Sequence, residues 1–128
     1  QDCAETSPSG MVAVLGMERD AVAALCETCR GEGVLQVANV LCPGNIVVSG
    51  DLDACDRIEA AATAAGAMKG VRLEVAGAFH TRLMQPAVER LTAALAAATF
   101  QPPRIPVVSN VDAKPHTAPD EIRGLLAR

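Results

Sequence analysis

Residues 34–50 read VLQVANVLCPGNIVVSG. Two apolar, β-branched runs, 34–40 and 45–50, flank the turn LCPG. Pro43 presets the backbone of that turn and Gly44 supplies the left-handed residue, so the stretch predicts a β-hairpin. Working outward, MVAVLGM (11–17) is a short apolar run with Gly16 near its end and reads as a buried strand. ERDAVAALCETCR (18–30) places Val22, Leu25, Cys26 and Cys29 on one helical stripe, closed by Gly31 and Gly33. After the hairpin, Asp51 or Asp53 caps a second helix with the stripe Cys55, Ile58, Ala62 and Ala65, stopped by Gly66. KGVRLEVA (69–76) alternates Val71, Leu73 and Val75 against Arg72 and Glu74, the pattern of a half-buried strand.

The predicted order is β-α-β-β-α-β, a ferredoxin-like arrangement over residues 11–75, preceded by a connecting segment, 1–10. Residues 76–128 are patterned differently. FHTRLMQPAVERLTAALAAATF (79–100) is a helix with Met84, Val88, Leu91 and Leu95 on one face. Pro86 is tolerable only in a first turn, so the helix starts near Leu83. QPPRIPVVSNVDA (101–113) reads as a Pro-rich turn and a short strand, and APDEIRGLLAR (118–128) begins a helix with Pro119 at or near its first position. This part has no sheet of its own and reads as a piece of a larger α/β layer. Gln1 in place of Met, and a last helical pattern without a stop signal, lead us to expect a longer natural chain.

Composition limits the function. The net charge is −4, and Trp and Tyr are absent. Neither the basic footprint nor the stacking platforms of a nucleic-acid binder are there. No apolar run is long enough to span a bilayer, and no signal peptide is visible. Five cysteines without a dense framework read as reduced thiols in a cytoplasmic protein.

Among 128 residues there are two Phe and two His, and Phe79 and His80 stand side by side where a strand gives way to a helix. Gly77 and Ala78 before them permit close approach of a backbone or ligand. His80 is a candidate general base; the alternative is a helix-start histidine making a cap-like hydrogen bond. Cys26-Glu-Thr-Cys29 is a CxxC, but it lies near the C-terminal end of a helix, where the dipole opposes a thiolate, and has no second ligand pair for zinc. Core cysteines are the expectation. Cys42 belongs to a turn, where we prefer a turn residue to a nucleophile; Cys3 and Cys55 carry no signal. GEGV (31–34) follows a helix and lacks a Lys-Ser/Thr pair, so it is no phosphate loop. His116, in AKPHTAP, is expected in an exposed, solvated turn. No metal site is read from the acidic residues.

VAGAFHTRLMQPA (75–87) resembles the malonyl-CoA:acyl-carrier-protein transacylases, the malonyltransferases of fatty-acid synthesis. GMVAVLGM (10–17), VANVLCPGNIVVSG (37–50) and IPVVSNVDA (105–113) resemble further blocks of that family in the same order. The resemblance implies a ferredoxin-like small subdomain (11–75) inserted in an α/β-hydrolase-like acyltransferase domain, of which 76–128 would be an incomplete part. It implies transfer of malonyl from malonyl-CoA, through an acyl-serine, to the phosphopantetheine thiol of acyl carrier protein, without a cofactor. His80 falls on the catalytic histidine. Phe79 falls where malonyl-selective members carry Phe and methylmalonyl-selective ones Ser, so it implies a size gate. Asn39 falls at the pocket wall, although Leu41, Cys42 and Asn45 stand where Asn, Ser and Gln are common. The chain has no Gly-x-Ser-x-Gly, so the nucleophile is missing and inactivity of the chain alone is expected. The malonate-binding arginine and the glutamine of the oxyanion loop are not in it either, and the carbonyl that orients the histidine would lie beyond Arg128. Two rival readings remain from the residues themselves. One is a stand-alone ferredoxin-like module for a small molecule or protein, and the other is a CxxC thiol or metal protein.

Overall fold

The computed structural model describes residues 8–128. The first seven residues, with Cys3 and most of the expected connecting segment, lie outside the described residues. Two compact units divide between Gln85 and Pro86. In chain order the first contains β1 (Ser9–Leu15), α1 (Arg19–Cys29), β2 (Leu35–Cys42), β3 (Asn45–Asp51), α2 (Leu52–Ala62) and β4 (Lys69–Leu73). The predicted order of six elements is realised. The strands form one sheet in the order β2-β3-β1-β4, and every neighbouring pair is antiparallel.

The two faces of the sheet differ. Val12, Val14, Leu35, Ile46 and Val48 point to one face and form the main core with Val22, Cys26 and Cys29 of α1 and Ala54, Cys55, Ile58 and Ala62 of α2. Met11, Ala13 and Val47 are buried on the other face, with Leu15, Ala38, Val71 and Leu73 packed against them. The small residue at position 50 is a packing requirement: a Cβ there would stand 2.0 Å from the Val34 carbonyl oxygen and 2.8 Å from Leu35 Cα. The β2–β3 turn narrows to Pro43-Gly44, with Gly44 at φ 74° as a tight hairpin needs. Arg57 of α2 donates to the carbonyls of Cys29 (2.6 Å) and Arg30 (3.0 Å), closing the C-terminal end of α1 with a cation.

Several boundaries differ from the sequence reading. β1 takes in Ser9 and Gly10, because both pair with β3 opposite Asp51 and Gly50. α2 ends at Ala62, so Ala65 is exposed. β4 stops at Leu73 and Val75 is 39% exposed, since the pairing with β1 runs out opposite Met11. Asp51 precedes α2 but does not cap it with its side chain; Oδ2 instead accepts from the Val34 amide at 2.5 Å, tying β2 to the β3–α2 junction. The boundary expected after residue 75 falls ten residues later, because the segment following β4 is hydrogen-bonded to β1 and β2.

The second unit holds most of α3 (Gln85–Ala97), a hairpin of β5 (Val107–Val108) and β6 (Pro115–His116), and α4 (Pro119–Leu126). Pro86 occupies the first turn of α3, where its missing N–H costs nothing. No residue of α3 is buried, and Leu91 of its apolar stripe is 46% exposed. Pro119 opens α4, with Ala118 as the preceding cap residue. His116 is not in a solvated turn. It is 6% exposed and pairs with Val107 across the hairpin, and two carboxylates flank its ring.

Candidate functional site

The Phe79-His80 pair sits in a tight turn between β4 and a short 3-10 helix, Arg82–Met84. Gly77 and Ala78 are buried, and Phe79 (39% exposed) and His80 stand out from them. The Phe79 amide donates to the Gly77 carbonyl at 3.0 Å. His80 has φ 61°, in the left-handed region that non-glycine residues rarely occupy. Such a conformation costs roughly 1–3 kcal/mol and persists only when its surroundings over-determine it.

Three side chains supply that determination. Ser9 Oγ of β1 accepts from the Ala78 amide at 3.1 Å. Gln36 Nε2 of β2 donates to the His80 carbonyl at 3.1 Å. Thr81, itself buried, donates through Oγ1 to the Ala78 carbonyl at 2.8 Å and accepts from the Leu83 amide at 3.3 Å, capping the 3-10 helix. The turn is thus closed on itself by Thr81 and fastened to two strands of the sheet.

Asn39 shares the sheet face with this anchorage. Gln36 lies opposite Ser49 and Asn39 opposite Val47, and the irregularity between Val37 and Asn39 inserts an extra residue. Residues three apart on β2 therefore point to the same side, the side away from α1 and α2. Asn39 is half-buried there. Among the described residues no hydrogen bond joins Asn39 to His80.

The remaining candidates separate cleanly. Cys26 and Cys29 are 2% and 6% exposed in the main core, and burial, reinforced by Cys29, pushes the Cys26 thiol up to about 12. That is the reverse of a reactive thiolate. Cys55 is also in the core, its thiol likewise raised by burial, and its Sγ lies 3.7 Å from the Gly50 carbonyl oxygen. Cys42 is exposed at the end of β2. Among the described residues no group of three or more His, Cys, Asp or Glu is placed to hold a metal ion. Beside α2, Arg72 of β4 pairs with Asp56 and Glu59 in a groove that Glu74 also lines.

Ser9 and Gln36 were not among the residues singled out from sequence. Both act across 44 or more positions, and an exposed Gln in a strand carries no local signal. Thr81 was detectable, as a hydroxyl residue standing just before a helical start.

The mixed α/β architecture with its antiparallel sheet matches solved malonyltransferase structures. The transacylase of Xanthomonas oryzae superposes with a TM-score of 0.83 at 39% identity, covering 99% of this chain and 40% of that one. A malonyl-transacylase in complex with its type II polyketide-synthase acyl-carrier protein superposes with a TM-score of 0.83 at 28% identity, covering 99% of this chain and 42% of that one. Among curated proteins, the malonyl CoA-acyl carrier protein transacylase of Escherichia coli K12 is 37% identical over 128 residues, which is all of this chain and 41% of that protein. The human mitochondrial transacylase is 38% identical over 136 aligned residues, 100% of this chain and 35% of that protein. No protein-family model matches the chain. The chain is a homologue of the malonyl CoA-acyl carrier protein transacylases, and it spans about two fifths of the length of the relatives it matches.

Proposed function

We propose that this chain is the part of a malonyl-CoA:acyl-carrier-protein transacylase that supplies the general base. The observation that carries the reading is the whole-length identity to proteins of that name, with the Phe79-His80 turn inside the aligned region. The β-α-β-β-α-β unit is the ferredoxin-like small subdomain. The residues after it belong to the larger α/β-hydrolase-like acyltransferase domain, a role supported by α3, whose apolar stripe has no fully buried residue.

A serine supplied from outside the 128 residues is the nucleophile. His80 takes its proton as it attacks the malonyl thioester, and returns that proton to the departing CoA thiolate. The second half runs the same way in reverse. His80 deprotonates the phosphopantetheine thiol of acyl carrier protein, the thiolate attacks the malonyl ester, and the serine oxygen recovers the proton. Phe79, exposed beside His80, fills the space an α-methyl group would need, and Asn39 lines the pocket from β2. The reaction needs no cofactor, and the setting is the cytoplasm.

The test is malonyl transfer to holo acyl carrier protein by the full-length protein and its His80→Ala variant. The variant is expected to lose at least two orders of magnitude in kcat, the usual worth of a positioned base. Transfer at the parent rate would remove His80 from the mechanism.

A further inference from the structure

The structure assigns Gln36 as a positioning residue for His80, an inference that rests on the reading of His80 as the general base. Its side-chain amide donates to the His80 main-chain carbonyl at 3.1 Å, across 44 residues of sequence. His80 is the one residue of the turn whose backbone lies in the left-handed region, at φ 61°. Left to itself, a β-substituted residue leaves that region for an extended or right-handed conformation. Such a change swings the imidazole away from its working direction while the rest of the turn stays in place. The other two clamps, Ser9 and Thr81, act on Ala78 and Leu83, so neither holds the His80 peptide itself. Among the described residues, Gln36 is the side chain hydrogen-bonded to the carbonyl that follows the strained torsion. It does so from β2, whose pairing with β3 is anchored at both Leu35 and Gln36 opposite Gly50 and Ser49.

Gln36 is exposed and contributes to neither core cluster. Its removal therefore affects the direction of the base more than the survival of the fold. Catalysis is sensitive to this, because a displacement of about 1 Å at a reacting group can cost a hundredfold.

The experiment compares the full-length protein with Gln36→Leu, Gln36→Lys and His80→Ala, measuring malonyl transfer to holo acyl carrier protein and thermal melting. Gln36→Leu keeps an apolar side chain of similar size, one atom shorter, and removes the donor. It is expected to lower kcat roughly ten- to a hundredfold, with KM and the melting temperature unchanged. Gln36→Lys restores a donor of similar reach and is expected to recover most of the loss. Backbone NMR of the same variants reads the His80 conformation directly, and its shifts are expected to move in Gln36→Leu and return in Gln36→Lys. Full kcat in Gln36→Leu, or equal losses in Leu and Lys variants, overturns the assignment. His80→Ala separates this from the underlying reading. A fully active His80→Ala refutes the base itself, whereas an inactive His80→Ala beside a fully active Gln36→Leu refutes only the positioning role.

Discussion

A histidine at φ 61° is a local contradiction, because its side chain opposes the backbone it occupies. The turn holds it with side chains from β1, β2 and Thr81, which together stabilise what the residue alone disfavours. Phe79 needs no such support. It is placed by its neighbours and projects from a buried Gly77-Ala78 base. If its ring excludes an α-methyl group, Phe79→Ser in the full-length protein raises kcat/KM for methylmalonyl-CoA relative to malonyl-CoA. A pocket that gains or loses one methyl-sized space shifts selectivity by about 1–3 kcal/mol, roughly ten- to 200-fold. Competition between the two thioesters, read by mass spectrometry of the acylated carrier protein, measures it. An unchanged ratio removes the size gate. The identity of this pair was legible in the sequence because Phe and His are both scarce there. The strained torsion was not, since it arises from contacts with strands far away in the chain.

At the scale of elements, the hairpin 34–50 carried most of the architecture, and Gly50 is its most constrained position. Gly50→Ala places a methyl group against the Val34 carbonyl and Leu35 Cα. Overpacking of this kind costs roughly 1–3 kcal/mol, and urea denaturation should show a lower midpoint with the slope unchanged. The helix stripes and strand alternation were readable because each run is long enough to display its period. The short strand within 101–113 was readable, but its partner β6 was not, because a strand of two residues has no period, and so His116 was misassigned to solvent. It sits with Nε2 3.1 Å from Asp112 and Nδ1 2.9 Å from Glu121, joining the hairpin to the first turn of α4. The hydrogen bond that the His116 ring gives to Asp112, opposed by desolvation and aided by Glu121, raises the His116 pKa above its ordinary 6.5. The same bond lowers the Asp112 pKa below its ordinary 3.8. The stabilisation by His116 is therefore complete below pH 6.5 and is lost as the pH rises through the higher folded value. That of Asp112 is present above pH 3.8 and lost as the pH falls through the lower folded value. NMR titration of the His116 ring should give a midpoint above 6.5. His116→Gln should flatten the alkaline decline in stability. A midpoint at or below 6.5 contradicts the arrangement.

At the scale of the whole molecule, two units of different character are joined at Gln85–Pro86. One has a closed core between its sheet and α1 and α2, while the other contains a helix with no buried residue. The sequence holds a candidate base and no Gly-x-Ser-x-Gly nucleophile. A base deprived of its nucleophile leaves most of the rate acceleration unrealised. The 128-residue chain, purified alone, is therefore expected to transfer no malonyl from malonyl-CoA to holo acyl carrier protein above the protein-free blank. Clear turnover would show that the chemistry is complete within it. The strand order has a further consequence, for synthesis. β1 is the first of the four strands of this sheet to be translated, yet it lies between β3 and β4 and hydrogen-bonds to no earlier strand among the described residues. Neither of its edges can be satisfied until residues 45–51 and then 69–73 have left the ribosome. At roughly 5–20 residues per second, this strand of buried residues waits several seconds with both edges open. During that time a nascent-chain chaperone has more to protect in Met11–Leu15 than in any later strand of the sheet.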